Sequence, residues 1–176
     1  MDVKELSRFV GRTNPYALQL SKGGYIPVRK EITEKELEKH LKGDKTYGSY
    51  VIKEDGTVNY GVIDIDGNPD ELNTLKVLGE AIYALFPDFD RVLEFSGRRG
   101  YHIWIFPDQP EPPAFIRELI KTRLKKEGIS NIEVFPKQDS LDGKQLGNLI
   151  KLPGGIHQQG GRSTILKEDK KDELEE

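Results

Sequence analysis

Cysteine is absent from this sequence of 176 residues. Its absence excludes disulfide bonds and leaves no thiolate that could bind a metal ion. Long hydrophobic runs are missing too: no apolar stretch approaches the ~18 residues that a membrane-spanning helix needs, and the first residues lack the charged-then-apolar pattern of a signal peptide. The sequence therefore predicts a soluble, cytoplasmic protein with no membrane partner. Its length suffices for one domain with a hydrophobic core, in one or two lobes.

The chain also has little net charge, with a formal value of −3 at pH 7. The positive and negative residues are nevertheless unevenly distributed along the sequence. Residues 1–90 carry a net charge of −4, residues 91–166 carry +4 and residues 167–176 carry −3. We therefore expect an anionic ligand to bind in the second half. The segment 167–176 has one apolar residue, so we expect it to form a flexible acidic tail or to lead into more protein.

Two carboxylates stand in the apolar run GVIDIDG, as Asp64 and Asp66. Residues two apart on a strand point to the same face, so both carboxylates project to one side of the sheet. Burying these two charges there without a cation would cost several kcal/mol of free energy. Hard oxygen ligands of this kind suit Mg²⁺ or Mn²⁺. The alternative is an acidic strand end that caps the following Gly67-Asn68-Pro69 turn.

The chain from this strand onward has the pattern of an α+β unit in the order βαββαβ, the split βαβ or RRM-like plan with both helices on one face of an antiparallel sheet. The glycine-flanked arginines of GRRG predict a hairpin loop between its second and third strands. The predicted elements are strand 58–66, helix 69–86, strands 92–96 and 101–106, helix 112–127 and strand 132–137.

The usual strand order of this plan places strands 101–106 and 132–137 on either side of the strand that carries the two aspartates. Alternation then collects five polar side chains on the face without helices. They are Asp64, Asp66, His102, Glu133 and Lys137. Three carboxylates on one face can hold two metal ions about 4 Å apart. The alternative for Glu133 is an exposed charge on an edge strand.

Residues 1–57 are predicted to form one lobe and residues 58–166 a second, RRM-like lobe of one compact unit. The first lobe contains a helix over 33–43 with Thr33 as N-cap, Glu36 in a capping box and Gly43 as its stop. A hairpin turning at residues 54–56 is expected to lead into the strand of Asp64.

Two further segments carry groups that suit phosphate. The first, SGRRGYH at 96–102, offers glycine backbone and two arginines able to surround phosphate oxygens, although each arginine alone could be a surface-turn residue. The second, residues 134–163, predicts a strand at NLIKLP flanked by basic loops, suited to phosphate or nucleic-acid backbone contacts. Lys144 in this segment is interpreted as a solvated loop residue.

Together these residues resemble the three motifs of the archaeo-eukaryotic primase superfamily: Asp64-x-Asp66, Ser96-x-x-x-Gly100-x-His102, and Glu133 within IEVFPKQ. More narrowly, LEFSGRRGYHIWIF and GNLIKLPGGIHQQGGRS are similar to the primase-polymerases of CRISPR-associated and TOTE conflict systems. The resemblance covers nearly the whole chain before the acidic segment. The third motif departs from many relatives by carrying Glu in place of Asp.

The resemblance implies a primase-polymerase catalytic core over residues 1–166. In this core an N-terminal α/β lobe (1–57) lies next to the RRM-like lobe (58–166), with the active site in the cleft between them. The resemblance also implies that Asp64, Asp66 and Glu133 bind two divalent cations, Mg²⁺ or Mn²⁺, and assigns no role to Arg99, Gln138 or Arg162. The residues that it implies for contacts to the nucleotide are Ser96, Arg98, Gly100 and His102, with Lys137, Lys151 and His157 as further contacts to nucleotide or template.

The activity that the resemblance implies is template-dependent joining of (d)NTPs on single-stranded DNA, with a primer strand as a further partner. Within a larger protein, the implied partners are CRISPR-associated modules or helicase and nuclease modules. Two other functions fit parts of the pattern. One is a binding module in which Trp104, Phe106 and Phe135 stack nucleic-acid bases. The other is a metal-dependent nuclease, in which the same carboxylates would activate water.

Overall fold

A computed structural model describes residues 1–143 and 145–171 of the chain. Lys144 and the last five residues of the acidic segment lie outside the described residues. The helices are α1 (Val3–Ser7), α2 (Glu34–Lys42), α3 (Leu72–Tyr83) and α4 (Pro113–Lys126). The strands are β1 (Tyr16–Gln19), β2 (Tyr25–Val28), β3 (Tyr47–Tyr50), β4 (Gly61–Asp66), β5 (Asp90–Phe95), β6 (Gly100–Phe106), β7 (Glu133–Phe135), β8 (Leu149–Lys151) and β9 (Thr164–Asp169).

The strands form two antiparallel sheets, which confirms the mixed α+β class predicted from the sequence. The first sheet has the order β2-β1-β3-β8, and the second has the order β7-β4-β6-β5-β9. In the second sheet β6 and β7 lie on either side of β4, as expected. The aspartate strand is therefore central, with a hydrogen-bonded neighbour on each side.

The local signals of the sequence are largely confirmed at this level. Helix α2 begins after Thr33, which forms a capping box with Glu36, and Gly43 ends it in the left-handed conformation. The GRRG segment joins the hairpin of β5 and β6, and Ser96 N donates to Gly100 O at 2.9 Å across it. Strand β7 stops at Phe135, two residues short of the prediction, because Pro136 has no N–H to continue the ladder.

Two long-range pairings differ from the expectations. A turn does form at residues 53–57, where Lys53 N donates to Thr57 O at 2.9 Å, but β3 before it and β4 after it belong to different sheets. Strand β8 pairs with β3 of the first sheet, where Ile150 and Leu152 are buried. Residue 57 is therefore not a boundary between the residues of the first sheet and those of the second. Strand β8, from the second half of the chain, is part of the first sheet.

Residues 167–169 also differ from the expected flexible tail, because they belong to β9. This strand pairs with β5 at the edge of the second sheet. Its end is fixed by side chains: Arg91 NH2 lies 3.1 Å from Asp169 Oδ2, and Tyr83 donates to the same oxygen at 2.9 Å. The charged sequence is accommodated because an edge strand exposes most of its side chains.

The second sheet is covered on both faces. On one face Gly61 of β4 packs on Ile116 and Ile120 of α4, and α3 packs beside it. On the other face Phe9 and Tyr60 pack edge-on against Trp104, with ring centroids 4.9 and 5.0 Å apart. The N-terminal residues therefore cover part of the face that carries Asp64 and leave only its polar end accessible. Among the described residues, no helix is long and apolar enough to span a membrane.

One glycine is required by the close approach of two strands. Gly100 begins β6 opposite Asp66 at the end of β4. A Cβ atom on Gly100 would overlap the Ile65 carbonyl oxygen and lie 2.8 Å from Asp66 Oδ1. Any side chain here must push the end of β4 away.

Gly100→Ala is expected to destabilise the protein by about 1–3 kcal/mol, because the overlap is with backbone and cannot be relieved by a rotamer change. Urea unfolding measures the loss, and Gly79→Ala is the control, since its Cβ would make an ordinary contact 3.4 Å from Leu93 Cδ1 and its φ is not positive. A loss no larger than in Gly79→Ala would contradict the close approach.

A buried histidine joins α2 to the first sheet. His40 Nδ1 accepts from Tyr47 N at 3.0 Å, while Nε2 lies 3.0 Å from Leu152 O and 3.1 Å from Pro153 O. Only the neutral ring with the proton on Nε2 satisfies both contacts. Burial, followed by repulsion from Lys151, lowers the pKa of His40 to about 4.

Acidification below pH 6.5 is therefore expected to destabilise the protein through His40, because the unfolded chain takes up a proton that the native ring resists. The loss begins near pH 6.5 and continues to about pH 4, with a limiting slope of about 1.4 kcal/mol per pH unit. Thermal melts of wild type and His40→Gln from pH 8 to 4 measure this. The variant should be less stable at pH 8 but should lose less stability on acidification; parallel losses would refute the assignment.

Candidate active site

Four ionisable side chains form a row across the second sheet. The register pairs Asp64 with Glu133 on one side and with His102 on the other, and pairs His102 with Glu94. Residues that face each other in register share a face of the sheet. The row therefore runs Glu133, Asp64, His102, Glu94, on the face opposite α3 and α4.

Above this row is a cleft of about 170 Å³ between the two sheets. Its floor contains Asp64, Asp66 and His102, and one wall is the β5–β6 loop. The rest of the lining comes from β8, from the following loop and from Tyr25 of the first sheet. The residues that line it are Tyr25, Asp64, Asp66, Ser96, Arg98, Arg99, His102, Phe135, Leu149, Ile150, Lys151 and His157.

Each motif carboxylate faces a basic side chain. Asp64 Oδ1 lies 3.6 Å from His102 Nε2, and Asp66 Oδ2 lies 3.5 Å from Arg99 NH2. Glu133 Oε1 accepts from Lys137 Nζ at 2.7 Å. The latter two pairs are about half exposed, so each contributes little to stability.

Asp64 is the least satisfied of these carboxylates. Its Oδ1 is buried and has no hydrogen-bond partner. Burial raises the pKa of Asp64; His102 opposes the rise, and the carboxylates of Asp66, Glu133 and Glu94 add to it. A buried oxygen without a donor, among other carboxylates, is an environment that a cation would relieve.

The donor chemistry therefore fits a divalent cation at Asp64 and Asp66, but a complete ligand set is not assembled. Within residues 1–143 and 145–171, no three His, Asp or Glu side chains are grouped closely enough to hold an ion. Glu133 lies in register with Asp64 but does not line the cleft, because its carboxylate turns to Lys137. Glu133 would have to leave Lys137 to complete a metal site.

The β5–β6 loop is packed against the loop that follows β8. Gly97 has φ of +93°, and its carbonyl oxygen accepts from Gly161 N at 2.7 Å. A Cβ on Gly97 would lie 2.5 Å from Gly161 O. Arg98 NH1 donates to Gln159 Oε1 at 3.0 Å. The two loops thus form one continuous wall that carries the guanidinium groups.

The cleft has several cationic groups close together. Burial lowers the pKa of His157, and the nearby charges of Lys151, Arg98 and Arg99 lower it further. Lys151 is 5% exposed, and burial likewise lowers its pKa, although Glu94 opposes this. The wall opposite the carboxylates is therefore suited to an anion.

The sequence-predicted site residues separate into two groups in the structure. Those that line the cleft are Asp64, Asp66, Ser96, Arg98, His102, Lys151 and His157. Lys137 pairs with Glu133 outside it, and Gly100 acts through the close approach of β6 to β4 rather than by lining the cleft. Arg162 donates to Leu41 O and Gly154 O, which links the loop after β8 to α2.

Three residues at the cleft were missed or left without a role by the sequence. Arg99 pairs with Asp66, and Tyr25 reaches the cleft from a strand more than 35 residues earlier in the chain. Glu94 is fully buried beneath the floor of the cleft. The sequence could have identified it by the feature that identified the aspartates, a charged residue inside an apolar run, here VLEF. Tyr25 had no comparable local signal.

The aromatic residues that a base-stacking module would need are buried. Trp104 is 0% exposed, Phe135 7% and Phe106 9%. Trp104 lies beneath Phe9 and Tyr60, which the N-terminal part of the chain contributes. Stacking of bases on Trp104 and Phe106 is therefore excluded, because Phe9 and Tyr60 already pack against both rings. Phe135 lines the cleft but is itself largely buried.

A second groove meets the first at the aspartates. It lies between α3 and the segment from α4 to β7, has a volume of about 710 Å³ and shares Asp64 and Asp66 with the cleft. Glu133 lines this groove. In contrast to the cleft, its lining contains no Lys, Arg or His. Asp64 and Asp66 therefore lie between a cleft lined by cationic side chains and a groove whose described lining has none.

One family of known proteins matches the chain over nearly its whole length. Residues 5–176 match the family model described as the archaeo-eukaryotic primase domain of TOTE conflict systems. No curated protein matches the chain. Because the family model covers nearly the whole sequence, the chain belongs to the archaeo-eukaryotic primase domain family of TOTE conflict systems.

Proposed function

We propose that the chain is the catalytic core of a primase-polymerase, which joins (d)NTPs on a single-stranded DNA template. The family indicates a primase or nucleotidyltransferase-type role. The observation that carries the finer proposal is the position of Asp64 and Asp66 between two depressions, only one of which is cationic. A polymerase must bring together two substrates of this kind, a triphosphate and a 3′-hydroxyl.

The same proposal extends to the fold. The strand order β7-β4-β6-β5 of the second sheet, with α3 and α4 on one face, supports an RRM-like plan. We infer that this unit and the first sheet form the catalytic core of the family, with the active site in the cleft between them. Strand β8 belongs to the first sheet and brings Lys151 to the second.

In this proposal the cationic wall binds the triphosphate. The guanidinium groups of Arg98 and Arg99, with Lys151 and the Ser96 hydroxyl, offer donors to phosphate oxygens. His102 offers Nε2 from the floor, and His157 lines the cleft from the loop after β8. The primer 3′-hydroxyl would approach through the second groove, whose described lining offers no cationic side chain to a second triphosphate.

Two divalent cations, Mg²⁺ or Mn²⁺, would be held by Asp64 and Asp66, with Glu133 as the third ligand. Bound there, they would activate the 3′-hydroxyl and neutralise charge on the phosphates. Attack on the α-phosphorus in line with departing pyrophosphate needs no nucleophilic side chain. The residues of the cleft contribute by positioning and by charge complementarity.

A metal-dependent nuclease is the second candidate, because carboxylates at a cleft could equally activate water. The cationic wall favours the polymerase, since a nuclease needs no site for a free triphosphate. Metal-dependent release of pyrophosphate from dNTPs and template would support the polymerase. Cleavage of the template without pyrophosphate would support the nuclease.

Asp64→Asn/Asp66→Asn is expected to abolish DNA synthesis. Single-stranded template, labelled nucleotides and Mg²⁺ or Mn²⁺, with and without an annealed primer, provide the assay. Products without a primer would indicate a primase, and products only with a primer would indicate a polymerase core. Asp70→Asn is the matched control, because Asp70 is exposed nearby but lines neither depression.

The same double variant separates metal binding from catalysis. Removal of two like charges, one of them buried, should leave the thermal unfolding temperature unchanged or a few °C higher. Mn²⁺ should raise that temperature for wild type and for Asp70→Asn but not for the double variant. Equal Mn²⁺ stabilisation of all three proteins, or normal synthesis by the double variant, would contradict the metal assignment.

Arg98→Ala is expected to raise the KM for nucleotide by about tenfold with a smaller change in kcat, because it removes charge-assisted hydrogen bonds to the triphosphate. Lys121→Ala, an exposed cation on α4 behind the sheet, controls for loss of overall positive charge. Initial rates over a range of nucleotide concentrations give both constants. If both variants raised KM equally, the cationic wall would have no specific role.

A further inference from the structure

Glu94 is a buried carboxylate outside the three sequence motifs. It is 0% exposed in β5. One carboxylate oxygen, Oε2, accepts from His102 Nδ1 at 3.0 Å and from Trp104 Nε1 at 2.9 Å. The other, Oε1, accepts from Ser163 Oγ and lies 3.7 Å from Lys151 Nζ. Both oxygens are therefore occupied, and neither faces solvent.

The partners of Glu94 fix its charge state. Removing a carboxylate from water costs several kcal/mol unless donors compensate. Burial opposes ionisation, but the charges of His102 and Lys151, with hydrogen bonds from His102 and Ser163, lower the pKa of Glu94 well below its usual range. Glu94 is thus an anion that accepts from His102, Trp104 and Ser163 and lies near the charge of Lys151.

This anion determines the orientation of the His102 ring. A carboxylate can only accept, so Nδ1 of His102 must carry a proton. Rotation of the ring by 180° would place a carbon against Glu94 and leave Nδ1 without this partner. The ring therefore keeps Nε2 on the opposite side, where it lies 3.6 Å from Asp64 Oδ1 at the floor of the cleft.

We propose that Glu94 is a positioning residue, which holds His102 so that Nε2 is presented to the triphosphate of the incoming nucleotide. The inference rests on the proposed function for the identity of the ligand. Glu94 does not touch the ligand itself, because His102 and Lys151 lie between it and the cleft. Trp104 supports the arrangement by donating to the same oxygen as His102, which leaves that oxygen no freedom to turn.

A different role for Glu94 would give a different result. Through Oε1 the same carboxylate links Ser163, before β9, and Lys151, in the first sheet. If this link between sheets were its whole role, His102 would be positioned without it. Loss of the Glu94 charge would then affect stability or Lys151, and its effect would not depend on His102.

The first test uses the wild-type chain and needs no activity. Long-range ¹H–¹⁵N spectra of ¹⁵N-labelled protein report which imidazole nitrogen is protonated, and His102→Ala identifies the His102 signals among the three histidines. We expect a downfield Nδ1 proton on His102 that exchanges slowly with water. An Nδ1 without a proton, or a rapidly exchanging one, would overturn the proposal.

The second test is a double-mutant cycle with Glu94→Gln and His102→Ala. Gln retains the size of Glu and can still accept from His102 and Trp104, but its neutral oxygen accepts less strongly. Binding of Mg²⁺ and α,β-methylene-dATP is measured by calorimetry. We expect Glu94→Gln to weaken binding about fivefold in wild type and to have no effect in the His102→Ala background.

Equal weakening in both backgrounds would overturn the proposal, because Glu94 would then act through Lys151 or the fold. Glu118→Gln, an exposed glutamate on α4, controls for loss of a negative charge. Wild type that binds no nucleotide would contradict the proposed function. The ¹⁵N spectra would in that case still decide whether Glu94 holds His102.

Discussion

The compensation of charge across one row of the second sheet constrains the rest of the site. Glu133, Asp64, His102 and Glu94 face one another in register over four strands. Ionised carboxylates at such spacing repel one another, and two of the three are largely removed from water. The row is tolerable because His102 lies between Asp64 and Glu94 and because Lys137 pairs with Glu133 at the exposed end.

That row also explains why the two sheets come together where they do. The buried end of the row at Glu94 needs donors from outside the hairpin of β5 and β6. Lys151 and Ser163, which lie on either side of the loop after β8, supply them. Because β8 pairs with β3, this compensation ties the first sheet to the second beside the cleft. The buried carboxylate of Glu94 thus contacts both His102 and Lys151, one from each sheet, at the edge of the cleft.

The sequence predicted the part of the site that depends on alternation within strands. Asp64 lies between His102 and Glu133 in register, as predicted. The prediction needed only the alternation of side chains along a strand and the two strands next to β4, which the order of elements indicates. The pairing of β8 with β3 and the burial of Trp104 under Phe9 were not predicted, because both depend on contacts between residues about 100 apart. Glu94 was predictable in principle, since a charge within VLEF violates the apolar pattern as clearly as Asp64 does.

The charged groups of the cleft differ in how readily they can exchange partners. The pairs Asp66–Arg99 and Glu133–Lys137 are about half exposed, so separating either costs on the order of 1 kcal/mol or less. The contacts of Glu94 are buried, so breaking them would leave an uncompensated charge at a cost of about 3–5 kcal/mol. A metal-bound triphosphate supplies a cation for the carboxylates and an anion for the arginines. Under the proposed function it can therefore replace the exposed pairs while Glu94 and His102 keep their positions.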